Sequence, residues 1–118
     1  MSSPQIDPDL TLTEDATYCS MRATLALVGQ KWVPRIIYEL LQGKRRFNEL
    51  ASLVGGCNSR TLRDRLVSLE EIGILERKVI AVTPPWVEYS LTYKGRELAV
   101  ALHGLEDWAK AHMSDQPA

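Results

Sequence analysis

Three arginines stand close together near the start of the stretch SRTLRDRLVSLEEIG, residues 59–73, namely Arg60, Arg63 and Arg65. A guanidinium group can form two parallel hydrogen bonds with a phosphate or with the edge of a guanine. At 100° per residue, Arg60 and Arg63 lie away from a continuous apolar stripe, and Arg65 lies at its edge. The stripe consists of Leu62, Leu66, Leu69 and Ile72. We therefore expect a helix that its leucines anchor and that presents two arginines outward.

The start of this predicted helix carries further polar groups. Asn58 or Ser59 is expected to cap it, and Thr61 lies in its first turn. Free backbone N–H groups and the helix dipole make such an end suitable for binding phosphate. Asp64 would repel phosphate, but it could accept from a cytosine amino group or brace one of the arginines. Taken alone, this face could also be ordinary solvated surface, and the neighbouring elements favour DNA binding.

The densest basic run is Lys44, Arg45 and Arg46 in the segment GKRRF. It could be a solvated loop, but its neighbours favour a phosphate clamp that positions a protein without reading sequence. Arg77 and Lys78 are adjacent in a predicted strand, so at most one of them readily faces DNA. The candidate DNA contacts are Lys44, Arg45, Arg46, Asn58, Ser59, Arg60, Thr61, Arg63, Asp64 and Lys78.

Five helices and one hairpin are expected to position these residues. The first helix spans residues 17–28, and the second lies in KWVPRIIYELLQG, with a buried stripe of Trp32, Ile36, Ile37, Leu40 and Leu41. A short third helix lies in RRFNELASLVGG, with Phe47, Leu50 and Leu53 or Val54 inward, and the fourth is the arginine helix. ILERKVIAV and WVEYSL then form a hairpin around TPP, and Thr92 caps a last helix over residues 93–113.

This order predicts a mainly α fold with a small β-hairpin, the winged form of the helix-turn-helix. We expect a flexible N-terminal arm over residues 1–15, one domain over residues 16–114 and a tail over residues 115–118. A length of 118 residues and an apolar content of 45% suit a single domain with its own core.

Composition narrows the function further. The net charge is −1, yet residues 31–78 hold ten basic and six acidic residues, so only the middle of the chain is positive. The N-terminus lacks a basic start and an apolar run, and no stretch is apolar enough for a membrane helix, which predicts a cytoplasmic protein. The two cysteines and two histidines show no zinc spacing. No nucleophile–base pair or phosphate-cradling glycine loop is present, so we expect neither enzymatic activity nor a cofactor.

Several motifs in order resemble the HxlR family of winged helix-turn-helix transcription regulators, relatives of the MarR type. They are LVGQKWVPRIIYELLQGKRRFNEL, then SRTLRDRLVSLEEIGILERKV, then TPPWVEYSLTYKGREL, and the resemblance covers about residues 18–110. Three positions depart from the family pattern. Ser20 replaces a frequent proline, Arg63 replaces a small polar residue, and Trp86 stands at the wing, where a basic residue is frequent.

The resemblance implies a homodimeric DNA-binding regulator whose first and last helices pair the subunits and whose fourth helix reads an inverted repeat. The candidate interface residues are Tyr18, Met21, Leu25, Leu98, Leu102, Leu105 and Trp108. Several family members sense electrophiles or oxidants through a cysteine in or before the first helix, and Cys19 occupies that place. A helix N-terminus favours the thiolate form of a cysteine, so the predicted position is permissive for sensing.

Other readings remain open at this stage. Cys19 could instead be a small apolar residue at the dimer seam, and Cys57 is expected to belong to the core. Trp32, Trp108 and Tyr18 could line an apolar cleft between subunits for a small ligand, although such aromatics are more often core. The alternative function is a winged-helix module that binds protein without sequence-specific DNA binding, which Trp86 and the acidic pI of 6.1 would suit.

Overall fold

A computed structural model describes the backbone of residues 15–113 and the side chains of residues 19–113. The predicted arm before Asp15, the tail over residues 115–118 and the side chain of Tyr18 lie outside the described residues. The chain divides into two units between Lys31 and Trp32. The elements are α1 (Asp15–Val28), α2 (Val33–Leu41), β1 (Arg45–Arg46), α3 (Phe47–Leu53), α4 (Ser59–Glu71), β2 (Leu75–Ala81), β3 (Trp86–Leu91) and α5 (Tyr93–Met113).

Helix α1 belongs to the first unit and begins two residues earlier than the sequence predicted. Its last turn closes where the N–H of Gly29 donates to the carbonyl of Leu25 over 2.9 Å. Met21 and Leu25, which lie on the predicted stripe, are both exposed.

Helix α2 is shorter than predicted and supplies much of the core of the second unit. Pro34 lies in its first turn, where a missing N–H leaves no hydrogen bond unmade, and Ile36 and Ile37 are buried. Two residues of the predicted stripe are not buried. Leu41, the last residue of the helix, is exposed, and Trp32 precedes the helix at a φ of 81° and is half-buried. Both positions lie at the limits of a nine-residue helix, Trp32 just before its start and Leu41 at its last residue, where helical periodicity no longer determines burial.

Helices α3 and α4 form the predicted helix-turn-helix. The backbone N–H of Arg46 donates to Glu49 Oε1 over 2.8 Å and so ties down the start of α3. Of the residues predicted to face inward on α3, Leu50 and Val54 are buried, Phe47 is half-buried and Leu53 is exposed. Gly56, at a φ of 94°, makes the turn between the helices, because this conformation favours glycine.

The wing is a three-stranded antiparallel sheet in the order β1-β3-β2, rather than the two-stranded hairpin that the sequence predicted. Arg45 pairs with Tyr89 and Arg46 with Glu88, so these two residues form a strand and not a loop or the start of the third helix, which begins at Phe47. Two residues are too few to show a two-residue alternation, which is why the sequence concealed this strand. The hairpin itself forms as predicted, with Leu75 opposite Leu91.

Helix α5 starts at the predicted position. The hydroxyl of Thr92 accepts from the N–H of Gly95 over 3.1 Å and lies within hydrogen-bond distance of the carbonyls of Gly73 and Ile74. Gly95 packs closely on the residue that precedes β2, since a Cβ at this position would lie 2.0 Å from the carbonyl oxygen of Ile74. These contacts fix the first turns of α5 against the domain. None of the helices within residues 15–113 combines the length and apolar character that crossing a bilayer requires.

Candidate nucleic-acid interface

Helix α4 has the two faces that its sequence predicted. Leu62, Leu66 and Leu69 are almost completely buried, whereas Arg60 and Arg63 are exposed. Ile72 differs from the prediction, because the helix ends at Glu71 and leaves this side chain 40% exposed. The leucine stripe therefore fixes the rotation of α4 and directs Arg60 and Arg63 outward from the domain.

Asn58 is the residue that caps α4. Its Oδ1 accepts a hydrogen bond from the N–H of Thr61 over 2.8 Å, which satisfies one of the unpaired donors at the helix start. Ser59 is exposed in the same turn, and Thr61 is half-buried. Asp64 is exposed and forms an ion pair with neither Arg60 nor Arg63 in the part of the chain that the structure describes. Its possible role as a brace for these arginines is therefore not seen.

Arg63 is held by a neighbour from the preceding helix. Its guanidinium carbon lies 4.6 Å from the centre of the Phe47 ring, a cation–π distance. Phe47 is the first residue of α3, so this contact joins the two helices of the helix-turn-helix at the surface. The sequence could not reveal it, because the two residues are far apart in the chain and Phe47 was expected to point into the core.

The three residues of the basic run do not all lie on one exposed face. Arg45 and Arg46 are neighbours on β1, so their side chains point to opposite faces of the sheet. Arg45 is half-buried opposite Tyr89, and its Nε is buried without a hydrogen-bond partner. Arg46 and Lys44 are exposed. Of the three predicted phosphate contacts, Lys44 and Arg46 are thus the more accessible to a ligand.

Arg46 is positioned by the wing. Its guanidinium carbon lies 4.5 Å from the centre of the Trp86 ring, and its Nη2 donates to the carbonyl of Pro85 over 3.4 Å. The indole N–H of Trp86 in turn donates to Glu88 Oε2 over 3.1 Å. Lys78 pairs with Glu88 across the strands, so it shares a face of the sheet with Arg46. Trp86 and Glu88, which were not expected to be site residues, therefore order this face.

The tip of the wing carries no charge. Residues 79–87 read VIAVTPPWV, and Val82 is 80% exposed. The cations beside it are Lys78 on β2 and Arg46 of β1, whose guanidinium group lies against Pro85 and Trp86. At the wing, contacts with phosphate would therefore come from Lys78 and Arg46, and not from the residues of the tip itself.

A second surface lies on the last helix. Leu98 and Leu102 are half-buried, but Leu105 and Trp108 are each 56% exposed. Trp108 contacts His112, with ring centres 5.1 Å apart, and Trp32 lies beside the turn at Gly56. The cleft between subunits that the sequence suggested for these aromatic residues stays a prediction. The C-terminal half of α5 exposes an apolar stripe.

The cysteines lie in different settings. Cys19 is exposed and is the fifth residue of α1, because this helix begins earlier than predicted. The helix dipole acts mainly within the first turn, so the dipole argument for thiolate character loses its geometric basis. Cys57 is half-buried rather than core, and its Sγ lies 3.5 Å from the carbonyl oxygen of Asn58.

A helix-turn-helix whose second helix exposes arginines, flanked by a three-stranded wing, defines the class of winged helix-turn-helix regulators. Comparison with known proteins agrees. The family model described as HxlR-like helix-turn-helix matches residues 27–117. The HTH-type transcriptional regulator YdeP of Bacillus subtilis is 37% identical over 100 residues, which cover 85% of this chain and 78% of YdeP.

Two solved structures are also similar. The reduced form of the transcriptional regulator YodB from B. subtilis has a TM-score of 0.74 and 32% identity, over 84% of this chain and 95% of YodB. The redox regulator HypR in its reduced form has a TM-score of 0.74 and 35% identity, over 80% of this chain and 93% of HypR. The chain therefore belongs to the HxlR family of helix-turn-helix transcriptional regulators.

Proposed function

We propose that this protein regulates transcription, without any catalytic step, as a homodimer that binds an inverted-repeat operator. The observation that carries the proposal is the exposure of Arg60 and Arg63 at the capped start of a helix that a buried leucine stripe fixes in place. In helix-turn-helix proteins this end of the second helix enters the major groove. Arginine there can discriminate guanine through paired hydrogen bonds.

The roles of the remaining cations follow from their positions. Lys44, Arg46 and Lys78 are exposed on or beside the wing, where they would contact phosphates on either side of the groove. Such contacts set affinity and register and carry no sequence information directly. In this proposal, α4 recognises the DNA sequence, and the β1–α3 junction and the wing provide affinity for any DNA.

Dimerisation is supported by α5. Its C-terminal half exposes Leu105 and Trp108, and the resemblance places the subunit contact on the first and last helices. Glu106 and Lys110 form an ion pair at 3.3 Å on the polar side of the same helix, which suits a helix with one wet and one buried face. A two-fold dimer would present two copies of α4 to two half-sites.

Selection from a randomised duplex library with the full-length protein tests this proposal. We expect enrichment of a duplex with two symmetric half-sites about one helical turn apart, bound by two chains. Fluorescence anisotropy should then show a preference of at least about 1,000-fold over a scrambled duplex of the same composition. Equal affinity for the two duplexes would contradict the proposal.

We further propose that Cys19 makes DNA binding responsive to thiol-reactive compounds. Two observations support this: the thiol of Cys19 is exposed, and YodB, a similar regulator, is known in diamide-treated and quinone-bound forms. A disulfide or adduct at this position would alter a helix that the resemblance places at the subunit contact.

Treatment with diamide should weaken binding of the enriched duplex by the wild-type protein at least tenfold, and dithiothreitol should restore it. Cys19→Ser should bind as the reduced wild type does and should not respond to diamide. Cys57→Ser is the matched control and should respond as the wild type does. A Cys19→Ser protein that still loses binding, or a Cys57→Ser protein that becomes insensitive, would assign the response elsewhere.

A further inference from the structure

Two exposed arginines of the candidate interface lie on aromatic rings rather than freely in solvent. Arg63 lies over Phe47 at 4.6 Å and Arg46 lies over Trp86 at 4.5 Å, both measured from guanidinium carbon to ring centre. Arg46 and Phe47 are adjacent in sequence, at the junction of β1 and α3. At this junction, Phe47 therefore supplies the ring of one stack and Arg46 supplies the cation of the other.

Each stack joins two elements of the interface. Phe47 of α3 holds a side chain of α4, and Trp86 of β3 holds a side chain of β1. The rings themselves have little rotational freedom. Phe47 is half-buried at the start of its helix, and the indole N–H of Trp86 donates a hydrogen bond to Glu88. The positions of both guanidinium groups are thus set by the fold.

The chemistry of arginine makes such a stack compatible with DNA binding. A guanidinium group that lies over a ring uses its face, and its N–H groups at the edge remain available for hydrogen bonds. A free arginine loses rotamer entropy when it binds, whereas an arginine that is already held loses less. Neither stacked arginine forms a salt bridge with a carboxylate in the described part of the chain.

We propose that Phe47 and Trp86 are positioning residues that pre-organise Arg63 and Arg46 for contact with DNA. The inference rests on the proposed DNA-binding function and assigns the two rings different effects. Phe47 acts through an arginine on α4 and so affects binding of the operator. Trp86 acts through an arginine of the wing, which in the proposed function contacts phosphate, and so affects binding of any duplex.

Two other roles of the rings predict different effects on DNA affinity. If the rings withheld the arginines from DNA, removing a ring would release a cation and strengthen binding. If the rings only stabilised the fold, their removal would weaken binding equally whether or not the arginine was present. A double-mutant cycle separates these cases.

The cycle for Phe47 uses Phe47→Leu, Arg63→Ala and the double variant, with anisotropy on the enriched duplex and on the scrambled duplex. We expect Phe47→Leu to weaken operator binding by about three- to tenfold and to leave the scrambled duplex within about twofold. In the Arg63→Ala background the same change should have less than about a twofold effect. Phe47→Tyr, which keeps the ring, should bind as the wild type does.

The cycle for Trp86 uses Trp86→Leu with Arg46→Ala. We expect Trp86→Leu to weaken binding of both duplexes alike, Trp86→Phe to retain most of the affinity, and Arg46→Ala to abolish the effect of Trp86→Leu. This split between one ring that affects the operator and one that affects every duplex is not expected from a loss of stability. Urea unfolding of each variant checks folding, and Phe47→Met replaces Phe47→Leu if the latter unfolds.

Tighter binding by Phe47→Leu or Trp86→Leu, or additive losses in both cycles, would overturn the inference while the proposed function stood. If the wild-type protein enriched no duplex at all, the proposed function would fail and the inference would fall with it. The two failures are therefore distinguishable from the wild-type measurement alone.

Discussion

At the residue scale, the two outward arginines of α4 are held in different ways. Arg63 lies on Phe47, whereas the side chain of Arg60 is exposed and has no hydrogen bond, ion pair or ring contact in the part of the chain that the structure describes. Arg60 must therefore be ordered when it binds, and Arg63 is already ordered. Binding of DNA should therefore cost more side-chain entropy at Arg60 than at Arg63.

Glu39 is a buried charge away from the interface. Its carboxylate lies 3.0 Å from Arg35 Nη2, which also donates to the carbonyl of Leu53 over 3.2 Å, so this pair ties α2 to the end of α3. Arg35→Ala should leave a buried carboxylate without its partner, because the side chain of Glu39 is only 7% exposed. We expect the free energy of unfolding to fall by about 1–3 kcal/mol in urea titrations.

The double variant Arg35→Ala/Glu39→Leu provides the matched control. Replacing the stranded charge with an apolar side chain of similar volume should recover most of the lost stability. If the double variant were less stable than Arg35→Ala alone, burial of the unpaired carboxylate would not be the cause.

At the scale of the elements, the sequence predicted helix starts and helix faces, because both depend on residues that are close together in the chain. Asn58 and Thr92 mark the starts of α4 and α5 because their side chains cap the backbone of the next turn. The leucine stripe of α4 predicted the outward direction of Arg60 and Arg63 because a helix has a fixed angular step.

Contacts between elements could not be predicted in this way. Strand β1 exists because Arg45 and Arg46 pair with β3 more than forty residues later, and a two-residue strand has no period to detect. The stack of Arg63 on Phe47 likewise depends on how α3 packs against α4. The exposure of Leu41 and Ile72 depends on where α2 and α4 end, which periodicity locates poorly.

Helix α5 contains two glycines in different surroundings, which gives a matched pair of substitutions. Gly95→Ala places a methyl group where the carbonyl oxygen of Ile74 lies, so we expect a loss of about 3 kcal/mol in the free energy of unfolding. Gly104 has open space around it, and Gly104→Ala should stabilise the protein by about 0.5–1 kcal/mol. Urea unfolding measures both. A Gly95→Ala protein as stable as the wild type would contradict the close approach of α5 to Ile74.

At the scale of the whole molecule, an acidic protein can still bind DNA if its cations are gathered on one surface. The positive middle third of the sequence contains the basic run, α4 and the base of β2. The segments on either side are acidic, with net charges of −3 over residues 1–30 and −2 over residues 79–118. Salt screening limits the range of each charge to about 8–10 Å, so the local excess of positive charge, and not the net charge of the protein, determines the attraction to DNA.

The exposed stripe of α5 predicts how assembly responds to substitution. Leu105→Glu should place a charge in the proposed subunit contact and convert the dimer into a 13.3 kDa monomer in sedimentation velocity. Val100→Glu is the control, because Val100 is 73% exposed on the opposite side of the same helix, and this variant should remain dimeric. Dimers of both variants, or monomers of both, would show that this stripe does not pair the subunits.

The most direct test of the account compares Arg60→Ala with Lys44→Ala on the enriched and the scrambled duplex by fluorescence anisotropy over a range of salt concentrations. We expect Arg60→Ala to lose about tenfold or more on the enriched duplex and little on the scrambled one. Lys44→Ala should weaken both duplexes alike and reduce the slope of log affinity against log salt by about one. Equal losses on both duplexes for Arg60→Ala would contradict the claim that α4 reads the DNA sequence.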